Sequence, residues 1–234
     1  MQDPRVIVAL DYDNKDTAMA FIDKLDPTLC KLKVGKEMFT LFGPEFVKEI
    51  IAKGFDVFLD LKFHDIPNTV AKACKAAAEL GVWMVNVHAS GGLPMMQAAK
   101  EAIANSANPS TKLIAVTVLT SMDDVQRADV VSGVTPEEQV LRLAALPEKA
   151  GLDGIVCSAK EANALREKHN PEFLLVTPGI RPIGTDAGDQ KRVMTPPDAI
   201  NSGVSYLVMG RPITKAEDPI AVLTEVNASI APLI

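Results

Sequence analysis

One feature constrains this chain more than any other: an alternation, repeated eight times, of a short apolar run rich in β-branched residues and a longer stretch with helical apolar spacing. The runs are Arg5 to Leu10, Leu29 to Val34, Asp56 to Leu61, Trp83 to His88, Leu113 to Val118, Gly154 to Cys157, Phe173 to Thr177 and Tyr206 to Met209. Among the helix-like segments that follow them are Asp16 to Leu25, Pro44 to Lys53, Thr69 to Leu80, Leu93 to Asn105, Pro136 to Ala150, Ala159 to Lys168 and, after the last run, Ala216 to Ser229. Gly54, Gly81 and Gly151 follow three of these segments, where a left-handed residue can end a helix. Strands alternating with helices form parallel sheets joined by crossovers. Eight evenly spaced units in 234 residues predict an α/β fold, a single (β/α)8 TIM barrel occupying residues 1–234 as one domain. An open doubly wound sheet is the alternative, and no GxGxxG follows the first run to support its dinucleotide-binding form.

A barrel places chemistry on the loops that follow its strands, which narrows the search to polar residues at strand C-terminal ends. These are Asp11, Lys33, Asp60, Lys62, His88, Thr120, Ser158 and Gly210-Arg211. Two connections, Thr120 to Pro136 and Pro178 to Val193, are polar and long enough for functional lids. Composition then excludes whole classes of function. A net charge of −6 repels polyanions, so a nucleic-acid scaffold is not expected. Cys30, Cys74 and Cys157 are odd in number and widely spaced, which fits neither a disulfide framework nor a zinc site and suggests a reducing cytoplasm. No apolar run approaches the ~20 residues needed to span a bilayer. His64, His88 and His169 lack metal-ligand spacing, so no catalytic metal is expected; His88 reads as a hydrogen-bonded rim residue and His169 as a surface one.

The third run concentrates charge. In Asp60-Leu61-Lys62-Phe63-His64-Asp65-Ile66-Pro67-Asn68-Thr69, strand alternation puts Asp60 and Lys62 on one face and Leu59 and Leu61 on the other. A lone Asp-x-Lys on a strand is most simply a structural ion pair at the rim. Asp65 three positions on, and Lys33 at the matching end of the second run, enlarge it to four alternating charges that can satisfy one another in a dry site and keep Lys62 protonated as a general acid.

This segment resembles the signature of the orotidine 5′-monophosphate decarboxylase family, and the likeness runs along essentially the whole chain. It includes Val8-Ala9-Leu10-Asp11, Lys31-Leu32-Lys33-Val34-Gly35, Val116-Thr117-Val118-Leu119-Thr120-Ser121, Thr177-Pro178-Gly179-Ile180-Arg181 and Val208-Met209-Gly210-Arg211-Pro212-Ile213. The resemblance implies conversion of orotidylate to uridylate and CO₂, the last step of de novo UMP synthesis, without metal or cofactor; the cysteine usage places it in the cytoplasm. It implies Lys62 as proton donor, Asp60 beside the substrate carboxylate, and Lys33 and Asp11 on the ribose hydroxyls. It further implies Thr120 at the pyrimidine edge, Gly210 and Arg211 on the phosphate, and Arg181 and Gln190 in a closing lid given flexibility by Gly184 and Gly188. Asp65, Ile66 and Thr69 would enter the site of a partner subunit, making a homodimer the active form.

Three rivals remain at this level. A magnesium-dependent 3-keto-L-gulonate 6-phosphate decarboxylase or hexulose-phosphate synthase shares Asp-x-Lys-x-x-Asp, and chelator would abolish its activity. A Schiff-base aldolase would use Lys62 as nucleophile and could be trapped with borohydride. A catalytically dead barrel would bind uridylate without turnover.

Overall fold

The computed structural model describes residues 3–122, 125–126, 129, 131, 133–182 and 193–234. The eight apolar runs form strands β1 (Val6–Leu10), β2 (Lys31–Gly35), β3 (Val57–Phe63), β4 (Met84–His88), β5 (Lys112–Val116), β6 (Gly154–Val156), β7 (Leu174–Thr177) and β8 (Tyr206–Met209). Each pairs in parallel with the next, and β8 returns to β1 with Val8 opposite Met209, so the sheet closes on itself in chain order. Outside it lie α1 (Lys15–Ile22), α2 (Lys36–Ala52), α3 (Pro67–Glu79), α4 (Leu93–Ala104), α5 (Pro136–Lys149), α6 (Ala162–Arg166), α7 (Pro196–Asn201), α8 (Arg211–Thr214) and α9 (Pro219–Ile230). The (β/α)8 barrel read from the sequence is the fold.

Local chemistry sets the helix ends. Asn14 caps α1 by accepting the Thr17 N–H at 2.9 Å, and Thr135 with Glu138 forms a reciprocal capping box at α5. Gly54, Gly81 and Gly151 stand at φ 91°, 91° and 75°, the left-handed stops expected of them. Several boundaries differ from the sequence reading. The helix expected from Pro44 begins at Lys36 and is broken in the middle by Gly43; the stretch expected from Ala159 is a 3₁₀ turn followed by the short α6; α7 and α8 were not anticipated. Short helices with few apolar repeats leave little periodic signal.

Strand alternation separates two apolar layers. Val6, Val8 and Leu10, with Leu32, Val34, Leu59, Val85, Val87, Leu113, Leu175 and Leu207, face outward and pack beneath the helices. Ile7, Ala9, Phe58, Met84, Ile114, Val176, Tyr206 and Val208 face inward and fill the barrel. Two lysines of β2 share that inward face. Lys31 is 2% exposed and seals the N-terminal end, its ammonium 2.8 Å from Asp3, 2.6 Å from Asp56 and 4.4 Å above the Trp83 ring. Lys33 points to the opposite, open end.

Candidate active site

At the open end β3 departs from a regular strand. Leu59 pairs with Val85 and Phe63 with Val87, so three residues, Asp60, Leu61 and Lys62, stand opposite Asn86 alone. Lys62 lies at φ 52°, the one described non-glycine residue with positive φ, a conformation that costs a non-glycine residue about 1–3 kcal/mol and persists only where the surroundings impose it. The sequence reading placed Asp60 and Lys62 together by unbroken alternation. They do meet, with the Lys62 ammonium 2.5 Å from Asp60 Oδ1, but across a bulge rather than a regular strand, while Leu61, partly buried, packs with Leu59 against the outer core as expected.

Asp60 is the centre of this group. The residue is 9% exposed, and its carboxylate is held by the Lys62 ammonium and the Asn86 amide (2.7 Å) on Oδ1 and by Lys33 at 3.4 Å on Oδ2. Burial pushes its pKa up, but Lys33 and then Lys62, with hydrogen bonds from Lys62 and Asn86, outweigh burial and hold the carboxyl below its ordinary value. Lys33 also reaches Asp11 at 3.8 Å, so a chain of alternating charge runs Asp11, Lys33, Asp60, Lys62 across the barrel mouth.

These charges line three adjoining lobes whose walls share Lys33. The largest, about 480 Å³, is walled by Asp11, Lys33, Arg181, Gly210 and Arg211. A second, about 180 Å³, has Asp60, Lys62 and Thr120 on one side and Phe58, Val116, Val176 and Val208 on the other. A third, also about 180 Å³, opens past Asp60 and Lys62 toward Lys36 and Glu37. A Cβ on Gly210 would stand 3.7 Å from the Ala9 Cβ and 3.8 Å from Asp11 Oδ2, so its lack of a side chain keeps the main lobe open to the backbone. The main lobe can therefore take an anion at its Arg211 end and polar hydroxyls at Asp11 and Lys33, while the second offers one charged and one apolar wall to a flat ring.

Arg181 is buried at the base of the seventh connection, where its N–H donates to the Met194 carbonyl at 2.9 Å. Gln190, Gly184 and Gly188 lie outside the described residues. Asp65 does not join the charge chain of its own subunit, contrary to the four-charge reading. It is exposed, its carboxylate accepts the Ile66 N–H at 2.6 Å, and it makes no ion pair among the described residues. Ile66, 66% exposed, and Thr69 beside it also face away from the packed interior.

Ser158 is buried and caps a 3₁₀ turn, so it is structural. His88 is half-buried and lies tilted against the His64 ring with centroids 5.4 Å apart, where burial first, and then His64, Lys36 and Lys62, lower its pKa. His169 is not a surface residue: its side chain is 5% exposed, bonds Glu148 at 2.7 Å and stacks on Phe173. The sequence reading missed Tyr12, Lys36, Thr214 and Lys215 in the cavity wall, and Asn86 beneath it. The signal for Asn86 was present, since an amide between Val85 and Val87 in a barrel strand must point inward; the others sit past strand ends, where spacing carries no information.

Comparison with known proteins agrees with this geometry. Residues 4–226 match the model of the orotidine 5′-phosphate decarboxylase / HUMPS family. A curated orotidine 5′-phosphate decarboxylase of Pseudoalteromonas atlantica is 63% identical over 231 residues, covering 99% of this chain and all of the relative, and one of Aliivibrio fischeri is 62% identical with both chains fully covered. Among solved structures, orotidine 5′-phosphate decarboxylase from Lactobacillus acidophilus superposes with a TM-score of 0.86 at 41% identity, covering 97% of this chain and 99% of that one. An uncharacterized conserved protein from Geobacillus kaustophilus does so with a TM-score of 0.83 at 37% identity, covering 96% and 99%. By sequence along nearly its whole length and by fold, this chain belongs to the orotidine 5′-phosphate decarboxylase / HUMPS family.

Proposed function

We propose that the chain is a carbon–carbon lyase that converts orotidine 5′-monophosphate to uridine 5′-monophosphate and CO₂ in pyrimidine nucleotide synthesis. The observation that carries this is the Lys62 ammonium fixed 2.5 Å from the buried, anionic Asp60 in a cavity wall, with Arg211 in the wall of the adjoining main lobe. The family model covers two chemistries, and the curated relatives at 62–63% identity favour the decarboxylase over the magnesium-dependent sugar-phosphate enzymes.

The chemistry suits these side chains. When the bond from C6 to the carboxylate breaks, the electron pair stays on C6 in the ring plane, where the pyrimidine π-system cannot delocalise it. A fixed ammonium beside C6 stabilises that charge as it develops, more strongly in a water-poor site than in bulk. Lys62 then gives its proton to C6, leaves as the amine, and regains a proton from solvent. Asp60, kept ionised by Lys33 and Lys62, orients the ammonium and stands beside the departing carboxylate. Asp11 and Lys33 take the ribose hydroxyls, Thr120 the pyrimidine edge, and Gly210 and Arg211 the phosphate. Arg181 and Gln190 belong to the lid, whose closure over the phosphate turns remote binding energy into rate. The chain acts as one barrel domain in a cytoplasmic homodimer, each subunit lending Asp65, Ile66 and Thr69 to the other. No helix of the described residues is long and apolar enough to cross a membrane.

The test is ultraviolet absorbance of orotidylate mixed with the protein in EDTA, because orotate and uracil rings absorb differently. Conversion that survives chelator and disappears in Lys62→Ala is expected. Absence of conversion by the unmodified chain, or its loss on chelation, overturns the reading in favour of the magnesium-dependent chemistry.

A further inference from the structure

Asn86 on β4 is 0% exposed and does not line the cavity, yet both of its amide atoms are committed to the two residues at the centre of the site. Its Oδ1 accepts the Lys62 backbone N–H at 2.8 Å, and its Nδ2 donates to Asp60 Oδ1 at 2.7 Å. The orientation of the amide is fixed by its partners, since a backbone N–H can only donate and a carboxylate can only accept. The bulge removes Lys62 from the regular ladder, so its N–H needs a side-chain acceptor, and Asn86 is the residue opposite. One side chain thus answers the unpaired N–H of a left-handed lysine and fixes the rotation of the carboxylate that the same lysine's ammonium touches.

We propose that Asn86 is a positioning residue of this site, holding Lys62 in its left-handed backbone conformation and the Asp60 carboxylate in its plane so that the ammonium stands where the proton must be delivered. The proposal rests on the decarboxylase reading. Only a group with one donor and one acceptor in this geometry serves. Leucine at 86 strands the Lys62 N–H and strips a donor from a buried carboxylate. Aspartate at 86 has the right shape but two acceptors, and it faces Asp60 and Lys62 on β3, with Lys33 of β2 beyond them on the other Asp60 oxygen and His88 two residues along β4, while β5 presents Ile114 and Val116. A single proton shared by the two carboxylates would restore the donor–acceptor pattern.

The experiment measures kcat and KM for orotidylate from pH 5.5 to 8.5 with the unmodified chain, Asn86→Leu, Asn86→Ser and Asn86→Asp, each first checked by thermal melting. Leu and Ser are expected to lower kcat on the order of 100-fold with KM within about threefold, the cost of a misplaced catalytic group. Asp is expected to be comparably impaired at pH 8.5 and to recover relative to the unmodified chain as pH falls, a trend that a role confined to folding would not produce. Folded Leu or Ser variants with near-normal kcat, or a folded Asp variant whose deficit is the same at every pH, overturn the proposal. Ser adds no charge and little strain, so it decides the matter even if Asp or Leu fails to fold. No turnover by the unmodified chain instead removes the decarboxylase reading, and this proposal with it.

Discussion

Lys31 and Lys33 sit two residues apart on one strand, point into the same barrel, and serve opposite ends of it. Lys33 opens onto the cavity, whereas Lys31 is enclosed by Asp3, Asp56, Trp83 and Tyr206, so that its cost of burial is offset by two carboxylates and two ring faces. Asp3 feels burial, which raises its pKa, but hydrogen bonds from Lys31 and Tyr206 and the charges of Lys31 and Arg5 prevail and lower it; burial and the same Asp3 push the Tyr206 hydroxyl up. A carboxyl depressed in the folded state stabilises the protein above its unfolded value of 3.8, and that contribution is lost as pH falls through the lower folded value. Removing a fully buried partner costs about 3–5 kcal/mol, but Asp3 and Asp56 are 47% and 52% exposed and water can reclaim them. Lys31→Met is therefore expected to cost about 1–2 kcal/mol at neutral pH, with the difference from the unmodified chain shrinking below pH 4, as urea denaturation at several pH values will show. Asp60, Lys62 and Lys33 were legible because charges at strand ends stand out against apolar runs. Asn86 was legible only as an inward-pointing amide; its role was not, because that depends on a contact from β4 to a bulge in β3 that alternation within either strand does not encode.

At the scale of elements, the strands follow from the sequence because β-branched runs of this length have few other uses, while helix boundaries follow less well. In α2 the pair Gly43-Pro44 reads as a start, since proline suits a first helical turn, and the sequence reading accordingly began the helix there. The chain already turns helical at Lys36, burying Met38, and Gly43 at φ 68°, ψ −169° breaks that first segment so that the second can bury Phe46, Val47 and Ile50. This region of backbone space is essentially reserved for glycine. A Cβ at Gly43 would meet nothing within 4 Å, so a substitution there tests backbone strain without a clash. Gly43→Ala is expected to lower stability by about 1–3 kcal/mol in chemical denaturation and to leave kcat for orotidylate near normal. A loss of kcat with unchanged stability would mean that the break sets the position of Lys36 and the cavity wall rather than relieving the backbone.

For the whole molecule, closure of eight parallel strands was readable from the count and spacing of the apolar runs, but assembly was not, since no periodicity marks a surface that meets a second copy. The argument for a shared site starts from Asp65, which belongs to the signature segment yet is exposed, accepts the Ile66 N–H and makes no ion pair with Lys33 or Lys62 among the described residues, next to an Ile66 that is 66% exposed. If Asp65 is needed at a site, as proposed, and its own subunit does not bring it there, it acts on another subunit, and this gives a sharp arithmetic. Lys62→Ala and Asp65→Asn chains are each expected to be inactive as homodimers. Denatured together in equal amounts and refolded, about half of the dimers are mixed, and each mixed dimer has one site carrying both lesions and one carrying neither. Activity should therefore return to roughly a quarter of that of the unmodified protein, a fraction set by counting alone. If Lys62 and Asp65 instead served the same subunit's site, every site in the mixture would carry one lesion and no activity would return, which would remove the shared-site dimer while leaving the Lys62 chemistry intact.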